Sequence, residues 1–260
     1  MEFENIILKT SGHVAVITLN RPQSLNAVTS NMLLDINSAL EKIESDKMIR
    51  ALVLTGGEKV FAAGFDIKEI LTIKTPADAN LFLSKIHLSY NRLADLEIPV
   101  IAAASGLTFG GGFELALACD FRIASDTAKF ALPEINLGLI PGAGGTQRLP
   151  RIIGMGRANE MLFTGRPVSA QKALEMGLVN CMTTPDSLID KAIKMAEQVA
   201  SKPGFALKII KKVVQTGMNT DLTSALDNEA RCFEMLFSTR DQKEGVAAFV
   251  EKRRPDFKGY

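Results

Sequence analysis

The sequence predicts an α/β fold that gives way to a helical C-terminal region. Short β-branched runs alternate with amphipathic segments up to about residue 155, and those runs are apolar on both faces. Beyond that point strand-like runs almost vanish while helical ones continue. The chain has 260 residues, 47% hydrophobic and 23% charged, the balance of a folded globular protein and not of a disordered one. At this length about three quarters of the unfolded chain's surface can be buried, so a core needs neither disulfides nor a structural metal. Lys plus Arg number 30 against 29 Asp plus Glu, a net charge of +1, which gives nucleic-acid binding no bulk electrostatic support.

In chain order, Val14 to Leu19 reads as the first strand. Ser30 to Ser45 reads as a helix, with Met32, Leu33, Ile36, Leu40 and Ile43 on one face. Ala51 to Thr55 is a second strand, and a helix over Thr75 to Leu96 ends ahead of Pro99. From Val100 to Cys119 the only ionisable group besides the terminal thiol is Glu114. The stretch is long enough to cross a bilayer, but its glycines and that carboxylate fit a buried strand, a glycine loop and a buried helix. Phe121 to Ala124 is a further strand. Helices are then expected at Ala158 to Phe163, Ala170 to Met176, Ser187 to Ala200, Ala206 to Val214, Leu222 to Leu236 and Arg240 to Lys252, punctuated by Gly165, Gly177, Pro203 and Gly217.

Many catalytic kits are missing. Cys119, Cys181 and Cys232 are odd in number and have no CxxC spacing, which points to reduced thiols and away from a zinc site. The opening MEFENIILKT has no targeting pattern, so the expected location is the cytoplasm, a processed organellar form being also compatible. His13 and His87 lie far apart without a triad or metal pattern and read as surface or satisfied core residues. There is no GxSxG elbow and no phosphate loop. GAGGTQ at 142–147 fails the dinucleotide fingerprint but suits an anion-binding turn at a helix start.

What remains are two glutamates in apolar or glycine-rich surroundings, Glu114 after Gly110-Gly111-Gly112-Phe113 and Glu134 after Pro133. A buried carboxylate must be paired, protonated or functional. Either one salt-bridges to a distant cation such as Arg122 or Arg148, or desolvation raises its pKa into the range of a general acid or base. The glycines at 110–112, between a strand and a helix, place unpaired N–H donors where a developing oxyanion could be held. The turn Ala63-Gly64-Phe65-Asp66 offers another such donor.

The segments NRPQSLNAVT (20–29), ALVLTGGEKVFAAGFDIKE (51–69), PVIAAASGLTFGGGFELALACD (99–120) and FALPEINLGLIPGAGGTQRLPRIIG (130–154) together resemble the enoyl-CoA hydratase/isomerase (crotonase) family. GRPVSAQKALEMGLV (165–179) and EGVAAFVEKRRPDFK (244–258) extend the likeness over essentially the whole chain. The resemblance implies a spiral of ββα units carrying the site over residues 1–195, and a helical oligomerisation region over 196–260. It also implies a trimer or dimer of trimers, an acyl-CoA thioester as substrate, and no cofactor or metal, coenzyme A being part of the substrate. Its oxyanion hole would be the N–H groups of Phe65 and Gly111. Family members that hydrate carry both glutamates, so the expected reaction is syn addition of water across the 2,3 double bond of a short-chain enoyl-CoA, or its reverse. Glu114 would hold and deprotonate the water, Glu134 would protonate Cα, and Gly142 would touch the water. Ser24, Leu25, Ala63, Asp66, Ile67, Lys68 and Lys252 would contact coenzyme A, the two lysines its phosphates. Two departures stand out: Phe65 replaces a common alanine and narrows or reshapes the acyl pocket, and Gln23 replaces a lysine. The alternatives are a double-bond isomerase of the same fold and, more remotely, a non-catalytic RNA-binding member using Lys252-Arg253-Arg254.

Overall fold

The apolar runs line up side by side, and their two faces are covered by different helices. A computed structural model describes residues 3–259. The chain begins with β1 (Ile6–Ser11) and β2 (Val14–Leu19), then α1 (Ser30–Ser45), β3 (Ala51–Thr55), the short α2 (Ile67–Ile70) and α3 (Pro76–Asp95). β4 (Val100–Ala104), β5 (Leu107–Phe109), α4 (Gly110–Leu117), β6 (Phe121–Ser125) and β7 (Lys129–Ala131) follow. After a 3-10 turn at Pro133–Leu137 come α5 (Gly145–Ile153), α6 (Met155–Thr164), β8 (Val168–Ser169), α7 (Ala170–Glu175) and β9 (Cys181–Thr183). The chain closes with α8 (Leu188–Ala200), α9 (Gly204–Gly217), α10 (Leu222–Leu236) and α11 (Arg240–Val250).

Six strands form one sheet in the order β1-β2-β3-β4-β6-β9, parallel throughout except for the antiparallel β1–β2 edge pair. A smaller sheet, β5-β7-β8, lies apart from it. Each of β3, β4 and β6 runs on into a short segment of this second layer: β3 into Ala62, which bridges Thr108, then β4 into β5 and β6 into β7. The chain therefore winds as a spiral of ββα units, as the resemblance implies. In the large sheet Val16 pairs with Val53 and Val53 with Ile101, and this row packs under Leu188, Ala192, Ala196 and Ala200 of α8. The opposite face, with Ile17, Leu52 and Leu54, packs on α1, α3 and α4. Burial on both faces explains why these strands show no alternation.

Helix starts follow local chemistry. Thr29 accepts from the Met32 N–H to cap α1, and Thr75 and Asp78 form a reciprocal capping box on α3, with Pro76 at its first position. The membrane-length stretch resolves into β4, β5 and α4, and among the described residues no helix is long and apolar enough to cross a membrane.

The structure adds β1, β5, β7, β8 and β9, most of them too short to carry a periodicity, and α5, whose Pro150 and flanking glycines hide it. The division expected at 195/196 falls inside α8, which stays on the sheet to Ala200. Beyond Gly204, only Asp241 and Ala248 are buried among the described residues. Three helices thus leave Ile210, Val214, Leu222, Phe233, Phe249 and Val250 more than half exposed.

Candidate active site

The site is built where the spiral's short segments meet. α4 begins at Gly110 without a side-chain cap, so the N–H of Gly111 lies in the first turn and has no carbonyl four residues back to bond. Facing it, the Val28 N–H donates to Gly64 O and the Asp66 N–H to Val28 O, a parallel bridge that leaves the Phe65 N–H turned away from Val28. Phe65 and Gly111 both line a cavity of about 1000 Å³. Tyr90, fully buried, donates its hydroxyl to Gly111 O at 2.7 Å and stacks on the Phe65 ring, which also meets Phe82 edge-on.

Glu114 is completely buried one turn into α4. Its Oε1 accepts from the N–H groups of Ala143 (2.7 Å) and Gly145 (2.8 Å), so the carboxylate caps the start of α5. The turn at 142–147 does present N–H donors at a helix start, and the Glu114 carboxyl takes two of them. Neither expected cation salt-bridges to it. Arg122, also buried, donates to the carbonyls of Leu178, Cys119 and Ala116 at the far end of α4. Arg148 donates to Ala143 O and Asn91 Oδ1. Burial pushes the Glu114 carboxyl up to about 7, against the two N–H donors, and the nearby Glu134 pushes the same way. Glu134, on the 3-10 turn, lines the cavity, and burial raises its pKa too. The Oε2 atoms of Glu114 and Glu134 are both buried without a hydrogen-bond donor among the described residues. A β-carbon at Gly110 would stand 3.0 Å from Glu134 Oε1, and one at Gly145 3.1 Å from Glu114 Oε1. Only glycine lets backbone and carboxylates approach this closely.

The cavity walls are mostly apolar, among them Ile70, Ile73, Phe82, Leu83, Leu139 and Ile140. Of the expected contact residues, Ala63, Ile67 and Gly142 line it. The 24–26 loop joins the 63–68 turn through the Ala63 N–H, which donates to Leu25 O, and Ser24 ends the preceding 3-10 turn. Asp66 is held by the Lys68 N–H and the Arg21 guanidinium, and Lys68 is exposed beside it. Lys252 stands past α11, outside the cavity lining, and the neighbouring Arg253 is committed to Glu244 and Glu251. Both histidines bond a carbonyl at the surface, within their sequence reading as surface or satisfied residues. His13 bonds Met48 O on the surface, whereas His87 lines the cavity and bonds Gly142 O. A lone histidine on a helix carries no signal for that; only the fold brings α3 to the 142–145 turn.

The enoyl-CoA hydratase/isomerase family profile matches residues 9–260. The chain belongs to that family. It is 44% identical over 255 residues to the short-chain-enoyl-CoA hydratase of Clostridium acetobutylicum, covering 98% of this chain and 97% of the relative. It is 41% identical over 258 residues to the crotonyl-CoA hydratase of Syntrophomonas wolfei subsp. wolfei, covering 99% of each. Among solved structures, the enoyl-CoA hydratase of Bacillus anthracis superposes with a TM-score of 0.94 at 42% identity, over 99% of this chain and 100% of that one. In this enoyl-CoA hydratase/isomerase chain, Glu134 and the backbone of Phe65 and Gly111 line an apolar cavity, and Glu114 is buried behind its 142–145 wall.

Proposed function

We propose that the protein is an enoyl-CoA hydratase that adds water syn across the 2,3 double bond of a short-chain enoyl-CoA, or removes it in reverse. The observation that carries this is the unpartnered Oε2 of Glu134 on the cavity that Phe65 and Gly111 line, with the unpartnered Oε2 of Glu114 buried behind the cavity's 142–145 wall. The Phe65 and Gly111 N–H groups bind the thioester oxygen, so charge arriving there during attack at Cβ meets fixed dipoles. Glu114, its Oε1 held by Ala143 and Gly145, takes the water's proton through Oε2. Glu134, whose pKa burial raises, delivers hydrogen to Cα from the same side. The charge on Glu134 opposes ionisation of Glu114. The names of the relatives support a short acyl chain. Coenzyme A is the substrate's own handle, bound by the 24–26 loop, the 63–68 turn and Lys252, and no further cofactor is needed.

We infer self-association from the apolar faces of α9 to α11, as a trimer or dimer of trimers; sedimentation at micromolar concentration tests it. Three free thiols fit a reducing compartment and the cytoplasm.

The test of function is loss of the conjugated enoyl-thioester absorbance of crotonyl-CoA. Turnover that survives unchanged in Glu114→Gln and Glu134→Gln would remove both roles. Conversion of a β,γ-enoyl-CoA without hydration would instead mark an isomerase.

A further inference from the structure

We propose that His87 and Arg148 are positioning residues that clamp the carbonyl side of the 142–145 turn, so that its N–H side holds Glu114 in one orientation. The proposal rests on the hydratase reading above. The peptide joining Gly142 to Ala143 is fixed at both ends: its carbonyl lies 2.6 Å from His87 Nε2, and its N–H lies 2.7 Å from Glu114 Oε1. The next carbonyl, of Ala143, accepts from Arg148 Nη1 at 2.9 Å, and the Gly145 N–H returns to the same carboxylate oxygen. Arg148 Nη2 in turn donates to Asn91 Oδ1 at 2.8 Å. His87 and Asn91 are one turn apart on α3, so a single helix braces the turn at two points.

A carbonyl can only accept, so His87 Nε2 carries the hydrogen, in the neutral ring as in the charged one. Hydrogen bonding a peptide's carbonyl also polarises its N–H, which strengthens the bond to Glu114. The backbone is shaped for this arrangement: Gly144 has φ +107°, and a β-carbon there would overlap the Arg148 guanidinium. With Oε1 taken twice, Oε2 is the one oxygen of Glu114 left for chemistry, and its aim follows the turn. A displacement of about 1 Å at such a group costs roughly 100-fold in rate.

The experiment compares His87→Ala, His87→Gln and Arg148→Met with wild type in crotonyl-CoA hydration and in amide hydrogen exchange at Ala143 and Gly145. His87→Ala should lower kcat by roughly 3- to 10-fold with KM unchanged and speed exchange at both amides, the loss expected of one neutral hydrogen bond. His87→Gln, whose amide nitrogen reaches the same carbonyl, should restore both. Arg148→Met removes a charged donor and should cost roughly 10- to 100-fold. Wild-type kcat and exchange in His87→Ala would overturn the clamp, as would a rise in KM alone, which would make His87 a substrate contact. Absence of hydration in wild type would sink the hydratase reading, while the exchange rates would still decide the clamp.

Discussion

A β-carbon on Gly111 would fall 2.5 Å from the ring of Phe65. The two residues that supply the N–H donors are therefore packed against each other, and Gly111 cannot gain a side chain without moving the ring. Gly111→Ala should displace the ring or tilt its own N–H, lowering kcat/KM for crotonyl-CoA by roughly 100- to 1000-fold, the cost of one such donor. Phe65→Ala in the same chain makes room for the methyl and should recover much of that loss.

Phe65→Ala alone keeps the donor, because the N–H belongs to the backbone, and removes a ring from the cavity wall. The expected outcome is a shift of kcat/KM towards longer enoyl chains, measured across a series from crotonyl-CoA upward. An unchanged chain-length profile would show that the ring does not bound the acyl chain.

Tyr90→Phe retains the ring that stacks on Phe65 and deletes the hydroxyl on Gly111 O. It leaves a buried carbonyl one partner short, which should destabilise the fold by about 1–3 kcal/mol in denaturant titration. The donor at Gly111 should loosen with it, lowering kcat more than it raises KM.

Glu114 makes stability fall with pH. Its folded pKa of about 7 lies above the 4.5 of a solvent-exposed glutamate, so between those values the folded chain holds a proton that the unfolded chain has released. Stability is then fullest below about 4.5 and declines as pH rises towards 7. Glu114→Gln keeps an oxygen for the Ala143 and Gly145 donors and carries no charge. Its thermal midpoint at pH 8 should exceed that of wild type, by up to about 3 kcal/mol of stability, while hydration collapses. In wild type, kcat/KM should rise through a limb near pH 7 as Glu114 ionises. Glu134→Gln, by removing the charge that opposes ionisation, should move the Glu114 titration to lower pH, read by carboxyl NMR.

Sequence and structure agree most where burial is two-sided and long: β2, β3, β4, α1 and α3 were readable from apolar runs and caps. The isolation of Glu114 and Glu134 among nonpolar residues marked them as costly and therefore useful. Their proximity was not readable, because it depends on how the 3-10 turn at Pro133–Leu137 and the 142–145 turn sit against α4, and segments this short carry no periodicity. The same packing hid the place of His87 on the cavity. Ion pairing with Arg122 or Arg148 was the alternative left open for the glutamates, yet both arginines spend their donors chiefly on carbonyls, a use that residue type alone does not distinguish.

The guanidinium of Arg122 occupies the tail of the helix whose head is Gly111. A cation fixed there compensates the negative pole of α4 and leaves its positive pole facing the cavity beside Glu134. The short helix behaves as a lopsided electrode, biased towards whatever negative charge gathers at its open end, and that bias is in place before any ligand arrives.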